Sequence, residues 1–254
     1  MFKIAVAFFL LLFAFNEISA VKFTIVNNCK GPIFPGIQGS TIPEGGGFKL
    51  EEGKSHDIHV PDKWQAGRIW TRTWCDEKNF NCGTGFCGNK LQCGGAGGRP
   101  PASLAEFTLY GSGNQDYYDV SLVDGYNVQV RIEPIPGTFH SNGGHMECKT
   151  VGKCNAELLD HCPDELKLID PLFGSGKVVG CYSACTKFNT DYYCCRGAYG
   201  TSKTCNSSKW PKNYPKIFKN ICPQDYSYAY DDTSSTFTCR GKGRLSPDYK
   251  ITFC

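Results

Sequence analysis

The sequence predicts a mainly β fold held by eight disulfides, with two stapled insertions. Three observations lead there. Sixteen cysteines follow an N-terminal stretch that reads as a secretory signal, and an even set in a secreted chain implies disulfides. The cysteines are unevenly spread: one between Val21 and Arg72, four in Cys75–Cys93, none in Ala102–Met146, nine in Cys148–Cys222, then Cys239 and Cys254. The cysteine-free stretches alternate apolar and polar residues, the period of a half-buried strand. The expected divisions are a signal peptide (1–20), a β core (21–72, 102–155 and 223–254), a small disulfide loop domain (73–101) and a disulfide-rich domain with helices (156–222).

Each element follows from local chemistry. Lys3 supplies a positive start, Ile4–Phe15 is one uncharged apolar run, and Ile18-Ser19-Ala20 is a small-residue cleavage site. The run is too short to span a bilayer, so it reads as a signal peptide. No later stretch has the apolar length of a span, and no hydrophobic tail suits a lipid anchor. The chain is expected outside the cell.

Zinc is the rival use of cysteine. It favours Cys-x-x-Cys turns, and none is present, while Cys194 and Cys195 are adjacent. A chain of this length buries about 70% of its unfolded surface without staples. Each bridge then adds roughly 2–4 kcal/mol, mainly by restricting the unfolded chain. The net charge of +3 is too small to imply nucleic acid.

Phe23, Ile25 and Asn27 alternate with Thr24 and Val26, and Glu106–Tyr110 alternates too. Tyr118–Val123 and Tyr126–Ile132 flank Asp124-Gly125, a dipeptide suited to a tight hairpin. In the second arm Val128, Val130 and Ile132 share one face, and Asn127, Gln129 and Arg131 the other. Ser235–Cys239 and Tyr249–Cys254 give two more strands. Helix signals are confined to Cys148–Cys222, best at Ala156–His161 and Lys212–Cys222, with Pro163, Pro211 and Pro215 keeping them short. Asn206-Ser207-Ser208 is an N-glycosylation sequon.

Several segments are familiar. They include Phe23–Cys29 (FTIVNNC), Arg68–Thr73 (RIWTRT), Gly98–Leu109 (GRPPASLAEFTL), Val120–Asn127 (VSLVDGYN), Tyr193-Cys194-Cys195, Cys222-Pro223 and the ending Lys250–Cys254 (KITFC). The chain resembles the thaumatin-like proteins, which include osmotin and other pathogenesis-related proteins. The likeness runs over essentially the whole of Val21–Cys254.

The resemblance selects one pairing from the roughly two million that sixteen cysteines allow. The implied pairs are Cys29–Cys254, Cys75–Cys82, Cys87–Cys93, Cys148–Cys239, Cys154–Cys222, Cys162–Cys181, Cys185–Cys194 and Cys195–Cys205. It implies a flattened β-sandwich of about eleven strands. There are two departures. Phe86 stands where the family has Asp before the cysteine, and Gly137–His145 is longer and more polar than the pattern.

The resemblance also implies an acidic cleft lined by Arg68, Glu106, Asp119, Asp124 and either Asp231 or Asp232. Carboxylates crowded in a cleft repel one another, so at least one holds its proton more tightly. A nearby Arg68 favours the charged form of its partner. Such a split supplies the acid and the base or nucleophile of glycoside hydrolysis. Glu106 is then the acid, with Asp119 or Asp124 as its partner.

Each residue has a plainer reading as well. Turn chemistry accounts for Asp124 before Gly125, and Glu106 or Arg68 reads equally as a surface charge. Tyr117, Tyr118, Tyr126 and Phe107 lie nearby in sequence. Aromatic faces stack on sugars, though core packing suits Phe107 better. His56 and His59 have no accompanying ligand pattern, so neither a metal nor a cofactor is expected.

The resulting expectation is a monomeric, secreted defence protein. It binds β-1,3-glucan or a related fungal wall polysaccharide through the cleft, with antifungal action. Whether it also has weak endo-β-1,3-glucanase activity is open at this level. The alternatives are permeabilisation of a microbial membrane without hydrolysis, and a protein-binding role as a ligand or as an inhibitor of a foreign hydrolase.

Overall fold

The computed structural model describes residues 20–254. The expected signal peptide, Ala20 apart, lies outside the described residues. The chain is mainly β. Its strands are β1 (Ala20–Asn27), β2 (Phe34–Gln38), β3 (Ser55–Pro61), β4 (Gly67–Asp76), β5 (Asn81–Thr84), β6 (Leu104–Thr108), β7 (Asp116–Ser121), β8 (Val130–Pro134), β9 (Phe139–His140), β10 (Lys167–Ile169), β11 (Val178–Cys181), β12 (Phe237–Gly241) and β13 (Tyr249–Phe253). They form a four-stranded sheet, β3-β1-β13-β8, and a larger one, β2-β4-β6-β7-β12-β9, with β5 added to β4. A separate ribbon pairs β10 with β11.

The two large sheets meet through aromatic side chains. Phe23 of β1 lies 4.7 Å from Phe107 of β6, ring centre to ring centre, and Phe107 lies 5.1 Å from Tyr249 of β13. Phe23, Phe107, Tyr118 and Tyr249 are all buried. Alternation puts the odd residues of β1 and the even residues of β7 into this core.

The first and last strands meet in the small sheet. β1 and β13 run parallel with Asn27 opposite Phe253, and the Cys29–Cys254 disulfide follows directly. The other bridges are Cys75–Cys82, Cys87–Cys93, Cys148–Cys239, Cys154–Cys222, Cys162–Cys181, Cys185–Cys194 and Cys195–Cys205.

The expected hairpin around Asp124-Gly125 does not form. The turn is present, with Gly125 N–H donating to the Leu122 carbonyl. Gly125 has φ +94°, and a Cβ there would stand 2.5 Å from the Cys181 carbonyl oxygen, so glycine is required. The arms then separate: β7 pairs with β6 and β12, whereas β8 joins β13 in the other sheet. Asn127, expected on a polar face, is buried. Its amide donates to the Thr71 carbonyl and Thr84 Oγ1 and accepts from Ser103 N–H.

The helices are α1 (Ala184–Phe188), α2 (Asp191–Cys194), α3 (Tyr214–Ile221) and α4 (Asp232–Ser235). Of the two expected helices, Lys212–Cys222 becomes α3, while Ala156–His161 shortens to a 3₁₀ turn at Leu158–His161. α4 lies outside the segment where helix was expected. The strand at Glu106–Tyr110 starts earlier and stops at Thr108, and Tyr110 turns into the left-handed region.

Candidate functional site

The outer face of the larger sheet divides in two along β4. Arg68, Trp70 and Arg72 alternate onto this face. Residues 85–98 cover the latter two. Trp70 donates to the Gly85 carbonyl, and a Cβ at Gly98 would stand 2.5 Å from its indole nitrogen. Trp70 forms a small second core with Cys87, Cys93, Ala102 and Leu104. Arg72 is fully buried and donates to the carbonyls of Phe34, Lys90 and Leu91. Burial pushes its pKa down to about 10, so it stays charged at neutral pH. Phe86, at the departure from the family pattern, lies under the Arg99 guanidinium, 4.8 Å from the ring centre.

The other half of the face stays open. There the ladder places Arg68 of β4 opposite Glu106 of β6, and Glu106 opposite Asp119 of β7. Three charged side chains from distant parts of the chain thus stand in one row across three strands. Two adjoining hollows, with about 630 Å³ and 550 Å³ of empty space, lie over this row and share all three residues. Asp124, Tyr226 and Ala229 wall one; Thr108 and Tyr117 wall the other.

Arg68 Nε donates to Glu106 Oε1 at 2.7 Å. Burial nonetheless raises the Glu106 pKa, Arg68 opposes the rise, and the charge of Asp124 adds to it. Asp119 is held well above the usual carboxylate range, first by burial, then by the charges of Glu106 and Asp225. Its Oδ1 is buried without a hydrogen-bond partner. Burial raises Asp124 as well, against Arg68. The floor therefore sets carboxyls that hold their protons more tightly than usual beside an arginine; a carboxyl accepts hydrogen bonds when ionised and also donates when protonated.

The two remaining candidates separate. Asp232 accepts from Tyr226 Oη at 2.8 Å, and its charge acts on Asp119. Asp231 is not brought in. It accepts from Ser227 N–H and Oγ and pairs with Lys219 Nζ at 3.0 Å.

Of the nearby aromatics, Tyr117 borders the groove, while Phe107, Tyr118 and Tyr126 belong to the core. His56 and His59 stand three apart on β3, hence on opposite faces. Among the described residues one trio, Cys154, Cys222 and Asp225, brings possible metal ligands within 4.8 Å of one another. Its two sulfurs are already joined as a disulfide.

Sequence reasoning missed Ser121, Val123, Tyr226, Ala229 and the buried Asp225. Ser121 alone carries a signal, two residues beyond Asp119 and so on the same face of β7. The others arrive through tertiary structure, as Tyr226 bridges to Ser121 from far along the chain.

The comparisons agree with this architecture. The chain is 47% identical over 242 residues to pathogenesis-related protein 5 of Arabidopsis thaliana, covering 93% of this chain and 91% of that protein. It is 43% identical to pathogenesis-related thaumatin-like protein 3.5 of Cryptomeria japonica, over 99% and 97% of the two chains. Its fold is similar to that of a solved laminaripentaose-producing β-1,3-glucanase in complex with laminaritetraose. There the identity is 13% and the TM-score 0.57, over 92% of this chain and 98% of that one. The thaumatin family model matches residues 27–254, and the chain belongs to the thaumatin family.

Proposed function

We propose that this protein is a secreted defence protein that binds β-1,3-glucan along the groove. The carrying observation is the open row Arg68–Glu106–Asp119 on the sheet floor. A glucan strand presents hydroxyls that accept from Arg68 and from protonated carboxyls, and that donate to ionised ones. A glucanase holding laminaritetraose on the same fold supports this ligand class. Eight disulfides fit an extracellular site of action.

Glu106 and Asp119 face each other across neighbouring strands, so their Cβ atoms stand about 4.5–5.5 Å apart. They lie side by side on the groove floor. The second reading, weak endo-β-1,3-glucanase action, is better served by Glu106 as acid and Asp124 as base. Asp124 comes from the loop after β7, and its charge acts on Glu106.

The test is co-sedimentation with insoluble β-1,3-glucan using Glu106→Gln and Asp119→Asn, with reducing ends measured alongside. Loss of binding in both variants is expected. Unchanged binding in both removes the groove from the function. Reducing ends that Asp124→Asn abolishes would establish the hydrolytic reading.

A further inference from the structure

We infer that Lys219 is a positioning residue for the groove. It lines neither hollow, yet it fixes the wall that carries Tyr226, Ala229 and Asp232. Its hold on the wall stands on geometry alone; its effect on affinity rests on the glucan reading above.

The wall has little main-chain support of its own. Tyr226 is tied to β7, donating to the Val120 carbonyl and accepting from Leu122 N–H, both at 2.8 Å. Ser227 to Tyr230 then make no main-chain hydrogen bond to one another or to any strand among the described residues. A backbone without ladder partners is shaped by side chains and water. The Asp231 carboxylate closes the loop on itself, accepting from Ser227 N–H at 3.0 Å and Ser227 Oγ at 2.7 Å.

Lys219 grips both ends of this loop. Its Nζ donates to the Asp225 carbonyl at 2.9 Å and to Ser235 Oγ at 2.6 Å, and it pairs with Asp231 Oδ2 at 3.0 Å. An ammonium has three protons to donate, and here three oxygens receive them. Asp225 and Ser235 bracket Tyr226, Ala229 and Asp232. Lys219 and Asp231 are 22% and 15% exposed, so salt and water screen the pair little. Hydrogen bonds with an ionised partner are the strong ones.

The grip has a firm base and a direct outlet. Lys219 stands on α3, where Phe218 and Ile221 are buried, and Cys222, next after the helix, is bridged to Cys154. At the other end Asp232 accepts from Tyr226 Oη at 2.8 Å. Holding Asp231 and Ser235 therefore holds Asp232, the Tyr226 ring and Ala229 against the hollow that Tyr226 and Ala229 wall.

The experiment compares the parent chain with Lys219→Met, Ser235→Ala and a control, Lys216→Met, which removes the same charge from an exposed position of α3. Amide hydrogen exchange is followed over residues 223–236, and co-sedimentation with insoluble β-1,3-glucan is measured at matched concentrations of folded protein. Lys219→Met should speed exchange in 227–235 about ten-fold while β1 and β13 keep the parent rate. It should weaken glucan binding roughly three- to ten-fold. Ser235→Ala removes one of the three oxygens and should give a smaller change in the same direction. Lys216→Met should match the parent in both readouts. Three results overturn the proposal: unchanged exchange in Lys219→Met, faster exchange with unchanged glucan binding, or equal weakening in Lys216→Met. If Lys219→Met does not fold, Ser235→Ala decides, and unchanged exchange there overturns it. A parent chain that does not bind glucan, beside a variant with faster exchange, refutes the glucan reading and supports the hold of Lys219 on the wall.

Discussion

Replacing Cys29 and Cys254 together by serine removes the bridge that closes the longest loop in the molecule. The loop spans 225 residues. Treated as lost freedom of the unfolded chain, such a closure contributes about 5 kcal/mol at room temperature. Cys148–Cys239 already short-circuits 91 residues of the loop, but the dependence is logarithmic and the correction is about 0.4 kcal/mol. For Cys75–Cys82, separated by 7 residues, the same treatment gives about 2.5 kcal/mol.

The native ends stay together without the bridge, because β1 and β13 remain paired up to Asn27 and Phe253. The effect then falls on the unfolded state. Guanidinium unfolding with the other seven bridges intact should show about twice the loss for the terminal pair as for Cys75→Ser with Cys82→Ser. It should also show a steeper denaturant dependence, because the released chain exposes more surface. Equal losses, or a larger loss for the short bridge, would refute the loop-entropy reasoning.

Other predictions concern the sheet's outer face and the sequon. The Asp119 carboxyl is held up in the folded state, so the native chain binds that proton more tightly than the unfolded chain does. Stability therefore falls as pH rises from the ordinary carboxylate range through the folded value. Asp119→Asn should be more stable than the parent at about pH 8 and no different at about pH 3, as thermal unfolding would show; a variant less stable at the higher pH contradicts this. Arg72→Met leaves the Phe34, Lys90 and Leu91 carbonyls without their donor, at roughly 1–3 kcal/mol each before relaxation. Faster proteolysis in residues 85–98 than in the sheets should accompany that loss. Asn206 is exposed, and its side-chain oxygen accepts from Ser208 N–H. Expression in a glycosylating host should add a glycan that Asn206→Gln removes, read by intact mass.

The legible parts of the site were those with a local signal. Alternation marked the strand carrying Glu106, and the residue quartet Arg68, Glu106, Asp119 and Asp124 came from likeness to a family. Their assembly into one row was not legible, because register between β4, β6 and β7 depends on pairing between segments far apart in sequence. The same limit explains the hairpin. Asp124-Gly125 encodes a turn, and the turn formed, but a turn does not choose the partner of the strand that follows it. Asp231 and Asp232 are chemically equivalent neighbours, and the position of Lys219 separates them.

By itself the sequence determined the compartment expected of the chain and its β-rich character. These rest on composition and on period-two alternation, which act within a few residues. The tertiary structure decided which strands share a sheet, which half of the outer face stays open, and that Asp225 Oδ1 and Trp210 Nε1 are buried without a hydrogen-bond partner. Those outcomes depend on what packs over each residue, and the covering segments come from elsewhere in the chain.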